Sequence, residues 1–280
     1  MPVLPNPIIE TYSRLANEYD GDLNLRSCWG RAAEGALACV NIKSSYASVV
    51  DIGCGTGRAL RKLASRAASL DFIGIEPALN MRKLAVHHTA CCPNIRICDG
   101  RFERLPLESG SVDYIYSIFA FHWTTDLEAS VHELSRVLKP DGEADLFFLG
   151  RNNGREFIQK TTPIFFKYMG PSRLLASARM RKQLAREEAV RLFERVFTST
   201  RLSVEESYET YYDTLAGHWG WWVRIEGHFM NFPSQQKDAC YDEVRAAIAA
   251  LAGPDLAIPY TIHKLHVQLR NPSSSGRPSF

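Results

Sequence analysis

Apolar and polar residues follow two different periods along the first 150 residues of the chain. Short runs rich in valine, isoleucine and aromatic residues are typical of strands buried on both faces of a parallel sheet. Between these runs, apolar residues recur every three or four positions, which indicates amphipathic helices. The runs predict five strands, at residues 48–52, 70–76, 95–99, 112–117 and 144–149. The alternation of strands and helices predicts an α/β fold with a doubly wound parallel sheet.

The pattern changes after residue 150. Residues 151–197 contain helical runs without a strand signal. Two later stretches with alternating apolar residues, 203–212 and 258–270, predict strands six and seven. Helices are expected at 215–232 and 238–251, between these two strands.

Composition excludes several classes of protein. The chain has 280 residues, 45% hydrophobic and 23% charged, with a net charge of +2, so overall charge predicts neither nucleic-acid wrapping nor membrane adsorption. No apolar run reaches the ~20 residues that cross a bilayer, and the first residues lack the basic flank of a signal peptide, so we expect a cytoplasmic protein. The seven cysteines form no CxxC pair and no metal-ligand spacing is visible, so no disulfide framework and no metal site are predicted.

The most informative stretch is Ser48–Arg58. A strand of β-branched residues leads into Asp51, and glycines follow at positions 53, 55 and 57 before a helix begins. Glycine lets the backbone turn sharply and approach a ligand closely. The free N–H groups and the positive dipole end of the following helix favour a carboxylate or phosphate in the loop.

This run, Asp51-Ile-Gly-Cys-Gly-Thr-Gly57, resembles motif I of the class I S-adenosylmethionine-dependent methyltransferases. The resemblance implies a Rossmann-like, mostly parallel seven-stranded sheet with an antiparallel last strand and helical lid insertions. It also implies that Asp51, Gly53 and Gly55 hold the methionine end of S-adenosylmethionine. Cys54 is counted with them, since that position of the loop needs a small residue.

The second predicted strand ends in Glu76-Pro77. An acid at the carboxyl end of a strand can accept hydrogen bonds from both hydroxyls of a ribose, so Glu76 is the predicted ribose ligand, with Pro77 beside it. The alternative is a carboxylate that only stabilises the N-terminus of the next helix.

The same resemblance extends to other cofactor contacts. It places Asp99, Gly100 and Phe102, after the third strand, near the adenine. Tyr19, at the end of an amphipathic helix over residues 8–19, would approach the methionine end, although that helix could equally serve only to pack on the fold. Ser117, at the end of the fourth strand, is grouped with these residues.

The run Ala120-Phe-His-Trp123 resembles the small-molecule branch that includes trans-aconitate and malonyl-carrier-protein methyltransferases. Its position at the carboxyl edge of the sheet places His122 and Trp123 beside the transferable methyl group or the adenosine. For an acceptor that carries a proton, His122 is the predicted general base, because histidine titrates near neutrality. The alternative is a packing histidine whose ring is satisfied by the backbone.

Residues 151–200 contain eleven lysines and arginines but only four acidic residues. This excess predicts a mobile lid that selects an anionic acceptor, either free or bound to a carrier. Reversing the charge of Arg179, Arg181 and Lys182 would test this prediction. The alternative is a solvated outer helix face. The predicted acceptor-binding residues are Trp123, Arg179, Trp219 and Trp222, although aromatic residues at helical spacing more often belong to a core than to a pocket.

The predicted organisation is one methyltransferase domain over residues 1–280. It comprises an N-terminal helical cover (1–35), a cofactor-binding core (36–150), a helical lid (151–197), closing strands with a helical insert (198–270) and a disordered tail (271–280).

The predicted activity is methyl transfer from S-adenosylmethionine to a carboxylate or hydroxyl oxygen of a small molecule, by a monomer or homodimer without nucleic-acid or membrane partners. Alternatives are C- or N-methylation, or cofactor binding without catalysis. A nicotinamide-dependent oxidoreductase is disfavoured because the loop lacks G-x-G-x-x-G, and nucleic-acid methylation because no Asn-Pro-Pro-Tyr motif follows strand four.

Overall fold

A seven-stranded sheet forms the centre of the molecule. The computed structural model describes residues 6–229 and 234–271. Strand order across the sheet is β3-β2-β1-β4-β5-β7-β6. The strands are β1 (Ser48–Ile52), β2 (Asp71–Ile75), β3 (Ile95–Cys98), β4 (Val112–Ile118), β5 (Leu138–Leu149), β6 (Arg201–Asp213) and β7 (Ile258–Arg270). Strands β1 to β5 pair in parallel and β7 is antiparallel to both β5 and β6, so the predicted fold class is confirmed.

Ten α-helices fall within the described residues. They are α1 (Pro7–Tyr19), α2 (Asp22–Leu25), α3 (Cys28–Ala38), α4 (Arg58–Ala64), α5 (Leu79–Thr89), α6 (Leu127–Val137), α7 (Arg155–Arg179), α8 (Arg186–Glu194), α9 (Leu215–Phe229) and α10 (Lys237–Ala249). None of these helices is both long and apolar enough to cross a bilayer. The predicted end of the helix at 230–232 and the tail from 272 onward lie outside the described residues.

Four clusters of buried apolar side chains occur among the described residues, and two of them hold the helices after β4 on the sheet. The first joins the central strands to α6 and α8, through residues such as Leu134 and Phe193. The second joins α7, α9 and α10 to the beginning of β7, through residues such as Phe157, Trp221 and Tyr260. Because β7 is antiparallel, its first residues lie at the edge where the parallel strands end. The second cluster therefore holds helices over the edge where α/β sheets bind ligands.

The segment predicted as a lid is divided between two environments. Helix α8 packs against α6 and β6 and contributes Leu192 and Phe193 to the main core. Helix α7 lies over the carboxyl edge and is broken at Gly170, whose φ of 70° and ψ of 169° are not helical. The break separates residues 155–169 from residues 171–179, and Pro171 starts the second half.

A buried charged cluster ties three strands together. The Asp145 carboxylate on β5 accepts hydrogen bonds from Tyr114 on β4 (2.6 Å), from the His266 Nε2 (2.6 Å) and from Arg270 on β7 (2.7 and 2.8 Å). The register explains this, because Asp145 pairs with Gln268, and positions 266 and 270 flank Gln268 on the same face. Burial acts to raise the pKa of Asp145, but these hydrogen bonds outweigh burial and lower it.

We expect Asp145→Ala to lower the free energy of unfolding by about 1–3 kcal/mol, because the buried Tyr114 hydroxyl and the partly buried Arg270 guanidinium lose their acceptor. Denaturant unfolding measures this change. Asp141→Ala, on the same strand but exposed, is the matched control and should leave stability nearly unchanged. Equal unfolding midpoints for the two variants would show that the cluster does not stabilise the sheet.

Candidate active site

The glycine loop after β1 lies against the ends of two neighbouring strands. Gly53, Gly55 and Gly57 all have positive φ, between 55° and 80°. The Gly53 N–H donates to the Ile75 carbonyl at the end of β2 (2.8 Å). A Cβ on Gly53 would lie 2.3 Å from the Ala120 Cβ, so only glycine lets this loop pass the segment that follows β4.

Glu76, the first residue after β2, is anchored to the glycine loop. One oxygen of its carboxylate accepts a hydrogen bond from the Gly55 N–H (2.9 Å), and the other accepts one from the Ala78 N–H (2.8 Å). The residue is 7% exposed, and burial raises its pKa, while the two backbone N–H groups oppose that rise. A carboxylate oxygen has two lone pairs, so each oxygen keeps the capacity to accept another hydrogen bond.

Two cavities meet at this loop. The first, the Glu76 cavity, holds about 820 Å³ of space, open solvent at its mouth included. The second, the His122 cavity, holds about 1270 Å³ on the same measure. Both are lined by Tyr12, Tyr19, Gly53, Gly55 and Trp123, among others, so the two cavities adjoin, and we call them together the cleft.

Most of the predicted site residues line this cleft. In the Glu76 cavity they are Tyr19, Gly53, Gly55, Glu76, Pro77, Gly100, Phe102 and Trp123. In the His122 cavity they are Tyr19, Asp51, Gly53, Cys54, Gly55, His122 and Trp123. Asp51 is 3% exposed, and burial together with the negative charge of Glu76 raises its pKa to about 7.

Two predicted cofactor residues lie outside the lining of the cleft. The Asp99 side chain is 72% exposed and pairs with Arg82 at 3.1 Å, because the chain after β3 turns it toward solvent. Ser117 is fully buried within the sheet, and its hydroxyl donates to the Ile52 carbonyl at 2.7 Å. Ser117 thus supports β1 from within the sheet.

Two predicted acceptor residues also lie elsewhere. Arg179 is exposed at the end of α7. Trp219 stacks on Trp222 (5.3 Å between ring centroids) and meets Tyr241 edge-on (5.8 Å), so it belongs to the packing between α9 and α10. Trp222 lines a third cavity, described below.

His122 lies in a short 3₁₀ turn, Phe121–Trp123, and is only 1% exposed. Burial, reinforced by the positive charge of Arg181, lowers its pKa to about 3. The expected titration near neutrality is therefore wrong, and the imidazole is neutral at physiological pH. Its Nδ1 is buried and has no hydrogen-bond partner within the described part of the chain.

Arg181 is the cationic side chain that the lid segment brings into the cleft. The Lys182 N–H donates to the His122 carbonyl (2.8 Å), which anchors the non-helical linker after α7 beside the 3₁₀ turn. Arg181 lines the His122 cavity together with Asn153 and Gln183, and its guanidinium lies 5.8 Å from the centroid of the Trp123 ring. Burial lowers its pKa, but a guanidinium stays charged in proteins.

The sequence signal for Arg181 was the basic segment as a whole. That segment drew attention to Arg179, Arg181 and Lys182, and Arg179 was the one predicted to bind the acceptor, whereas it is Arg181 that lines the cleft. Asn153 and Gln183 carried no signal at all.

A third cavity, which we name the kink cavity, lies between the two halves of α7 and holds about 900 Å³ of space, open solvent at its mouth included. It shares Asn153, Arg181 and Gln183 with the His122 cavity, so the two cavities adjoin at these residues. Its walls come from both halves of α7, from α9 and from β7; they include Phe157, Phe165, Leu174, Ala178, Trp222 and Tyr260.

Comparison with known proteins gives matches to methyltransferases. Residues 50–144 match the family described as a methyltransferase domain. Over 121 residues the chain is 32% identical to the malonyl-[acyl-carrier protein] O-methyltransferase of Methylovorus sp. (strain MP688), which covers 41% of this chain and 41% of that protein. Over 174 residues it is 26% identical to the ubiquinone/menaquinone biosynthesis C-methyltransferase UbiE of Campylobacter jejuni subsp. jejuni (strain 81-176). This match covers 59% of this chain and 73% of that protein.

The matches span 30% to 54% of the length of the first four curated relatives. The crystal structure of the YcgJ protein from Bacillus subtilis has the same fold, with a TM-score of 0.59 at 17% identity over 86% of this chain and 98% of that chain. The family model matches residues 50–144, about a third of the chain, and the likeness to the YcgJ protein shows a Rossmann-like fold; S-adenosylmethionine is the cofactor of the matched class of domain.

Proposed function

We propose that the chain transfers a methyl group from S-adenosylmethionine to a carboxylate oxygen of a small acidic molecule. The observation that carries the proposal is the guanidinium of Arg181, which is only partly exposed and lies beside a neutral His122, in a cavity that adjoins the one around Glu76. A cation held partly out of solvent in a cavity favours an anionic ligand, because an anion forms strong charge-assisted hydrogen bonds with it.

The residues around the glycine loop fit the cofactor. The Glu76 carboxylate keeps free lone pairs for the two ribose hydroxyls, as its two hydrogen bonds come from backbone N–H groups. A Cβ on Gly55 would meet no atom within 4 Å, and this residue lines both cavities, so the space beside its backbone is free for a ligand. Asp51 and Glu76 supply negative charge for a cofactor with an ammonium and a sulfonium group.

The bound cofactor supplies a methyl group on a positively charged sulfur. The chain must then hold the acceptor in line with that methyl group and keep water away. Arg181 would hold the acceptor carboxylate, and Tyr12, Tyr19 and Trp123 would close the cleft, since all three line both cavities.

The pKa of His122 favours a carboxylate over a hydroxyl as the acceptor. A hydroxyl acceptor needs a general base whose pKa lies near the working pH, whereas a carboxylate has no proton to lose. With a pKa of about 3, His122 is a weak base. We therefore assign His122 a positioning role, in which its neutral ring packs beside Trp123 and leaves the positive charge to Arg181.

C-methylation is the second candidate, favoured by the similarity to UbiE. Alkaline hydrolysis of the product made with radiolabelled S-adenosylmethionine distinguishes methylation at oxygen from methylation at carbon. A methyl ester releases volatile labelled methanol, whereas a C-methyl group does not. A base-stable product from a carboxylic acid acceptor would overturn the proposal. Whether the acceptor is free or bound to a carrier protein, as in the name of the Methylovorus relative, is tested by offering both forms.

We expect Glu76→Ala to weaken binding of S-adenosylmethionine by roughly fivefold to 150-fold, because two ribose hydroxyls lose a buried acceptor. Isothermal titration calorimetry measures the affinity. Asp99→Ala is the matched control and should change affinity by less than about threefold, since an exposed ion pair contributes little. If both variants lost the same affinity for S-adenosylmethionine, Asp99 would belong to the cofactor site and Glu76 would not be its principal ribose ligand.

Cofactor affinity should depend on pH through Asp51. The pKa of Asp51 is raised to about 7, and the ammonium group of the cofactor binds the ionised form, so affinity should fall about eightfold from pH 7.5 to pH 6. Calorimetry in buffers of different ionisation enthalpy should show proton release on binding near pH 7. Asp51→Asn should bind more weakly at pH 7.5 and lose this pH dependence; a variant with the wild-type pH profile would contradict the assignment.

Arg181→Gln should raise KM for the acidic acceptor by roughly 10-fold to 150-fold, because a charged hydrogen bond is lost, and should leave the cofactor Kd unchanged. Arg179→Gln, two residues away but exposed, is the control and should keep the wild-type KM. Steady-state kinetics at saturating cofactor measures the KM of each variant for the acceptor. An unchanged KM in Arg181→Gln would leave the anionic acceptor without support.

A further inference from the structure

The kink cavity exists because α7 changes direction at Gly170. Phe157 and Phe165 line it from the first half of the helix, and Leu174 and Ala178 line it from the second half. An unbroken helix would continue along a single axis, so residues on the two sides of position 170 could not face each other across a space. The cavity is therefore a product of the break.

Five of the fifteen residues that line the kink cavity are aromatic, and two pairs of aromatic rings stack in its wall. The Phe165 ring is parallel to Trp222, with 5.9 Å between centroids and 2° between planes. The Phe157 ring is parallel to Trp221 in the same way, at 6.4 Å and 8°. Both tryptophans are at most 5% exposed. Among the threonines of the lining, Thr161 donates its hydroxyl proton to the Phe157 carbonyl, so that hydroxyl is satisfied inside the wall.

Three polar residues mark one end of this cavity. Asn153, Arg181 and Gln183 lie where the kink cavity meets the His122 cavity, whereas Thr161, Thr162 and Ser177 line the kink cavity alone. A molecule that reached from the cleft into the kink cavity would thus place a charged group at Arg181 and an apolar group among the aromatic rings. This polarity is the usual arrangement of small-molecule sites, in which apolar walls provide affinity and a few polar groups fix orientation.

We propose that the acceptor is a carboxylic acid with an apolar body, whose carboxylate lies at Arg181 and whose body fills the kink cavity. This inference rests on the proposed function, because it assigns the remainder of the same acceptor. It excludes small, wholly polar acids as preferred acceptors, since they would leave the aromatic walls of the kink cavity without a partner.

The test uses straight-chain acids from butanoate to octanoate as acceptors. Each methylene that enters the cavity should raise kcat/KM about fourfold, which corresponds to about 0.8 kcal/mol per buried CH₂. Ala178→Phe fills the cavity from its wall and should flatten this dependence, while the cofactor Kd stays unchanged. Ala178 is exposed to solvent at the mouth of the cavity, so this change should leave the fold intact.

Ala176→Phe is the matched control, because it makes the same substitution two residues away on the same helix, at an exposed position outside the cavity lining. This variant should keep the wild-type dependence on chain length. The inference is overturned if butanoate and octanoate give equal kcat/KM in the wild type, or if the two alanine variants lose the dependence equally. In either case the methyl transfer to butanoate would still support the proposed function.

A binding measurement keeps the inference testable if no carboxylic acid is methylated. Alkyl sulfonates from four to eight carbons are unreactive anions, and their binding can be followed by quenching of tryptophan fluorescence. Affinity that rises with chain length in the wild type and in Ala176→Phe, but not in Ala178→Phe, would support the cavity assignment while the methyl transfer itself fails. Affinity independent of chain length would overturn the cavity assignment directly.

Discussion

The parallel pairing of β1 with both β2 and β4 is the constraint on which the site depends. In this register Ile52 pairs with Ile75, and Asp51 pairs with Tyr116, so all three strands end at the same level. The chain runs outward from β1 to β3 and then returns to β4, which creates the switch point where sheets of this kind bind ligands. The glycine loop, Glu76 and the His122 turn follow these three strands, and their meeting is a consequence of the register.

Charge is distributed unequally along the resulting cleft. Asp51 and Glu76 lie beside the glycine loop, and Arg181 lines the same cavity as His122. Burial raises the pKa of both carboxyl groups and lowers that of Arg181, so all three groups are more stable in their charged forms when an opposite charge binds. A cationic cofactor is therefore favoured beside the two carboxyl groups, and an anionic acceptor is favoured beside Arg181.

The strands and the glycine loop could be predicted from sequence because their signals are local. A run of β-branched residues, an acid and three spaced glycines specify a strand and a turn wherever they occur. Asp99 and Ser117 were assigned by analogy with position in a motif, and that position does not determine where a side chain points. Ser117 turned inward because Ile52 offers a carbonyl acceptor on the neighbouring strand, which depends on strand pairing and not on the residue itself.

Neither the low pKa of His122 nor the position of Arg181 in the cleft could be predicted from the sequence, for a related reason. Both depend on contacts between segments about sixty residues apart, since the Lys182 N–H must reach the His122 carbonyl before Arg181 can enter the cleft. A composition count detects the basic segment but carries no information about this contact. The expectation of a histidine that titrates near neutrality likewise assumed a solvated ring, and burial removes that assumption.

The shape of the acceptor region follows from two residues of α7. Gly170 has φ and ψ of 70° and 169°, a region of the backbone map that is essentially restricted to glycine, and the following Pro171 disfavours a helical conformation at position 170. A Cβ at Gly170 would meet no atom within 4 Å, so backbone strain alone, and not packing, requires glycine there. The same Pro171 then has the fixed φ that suits the first turn of a helix, which lets the second half of α7 begin at once. The break is therefore encoded locally, although the cavity that it opens against α9 and β7 appears only in the folded chain.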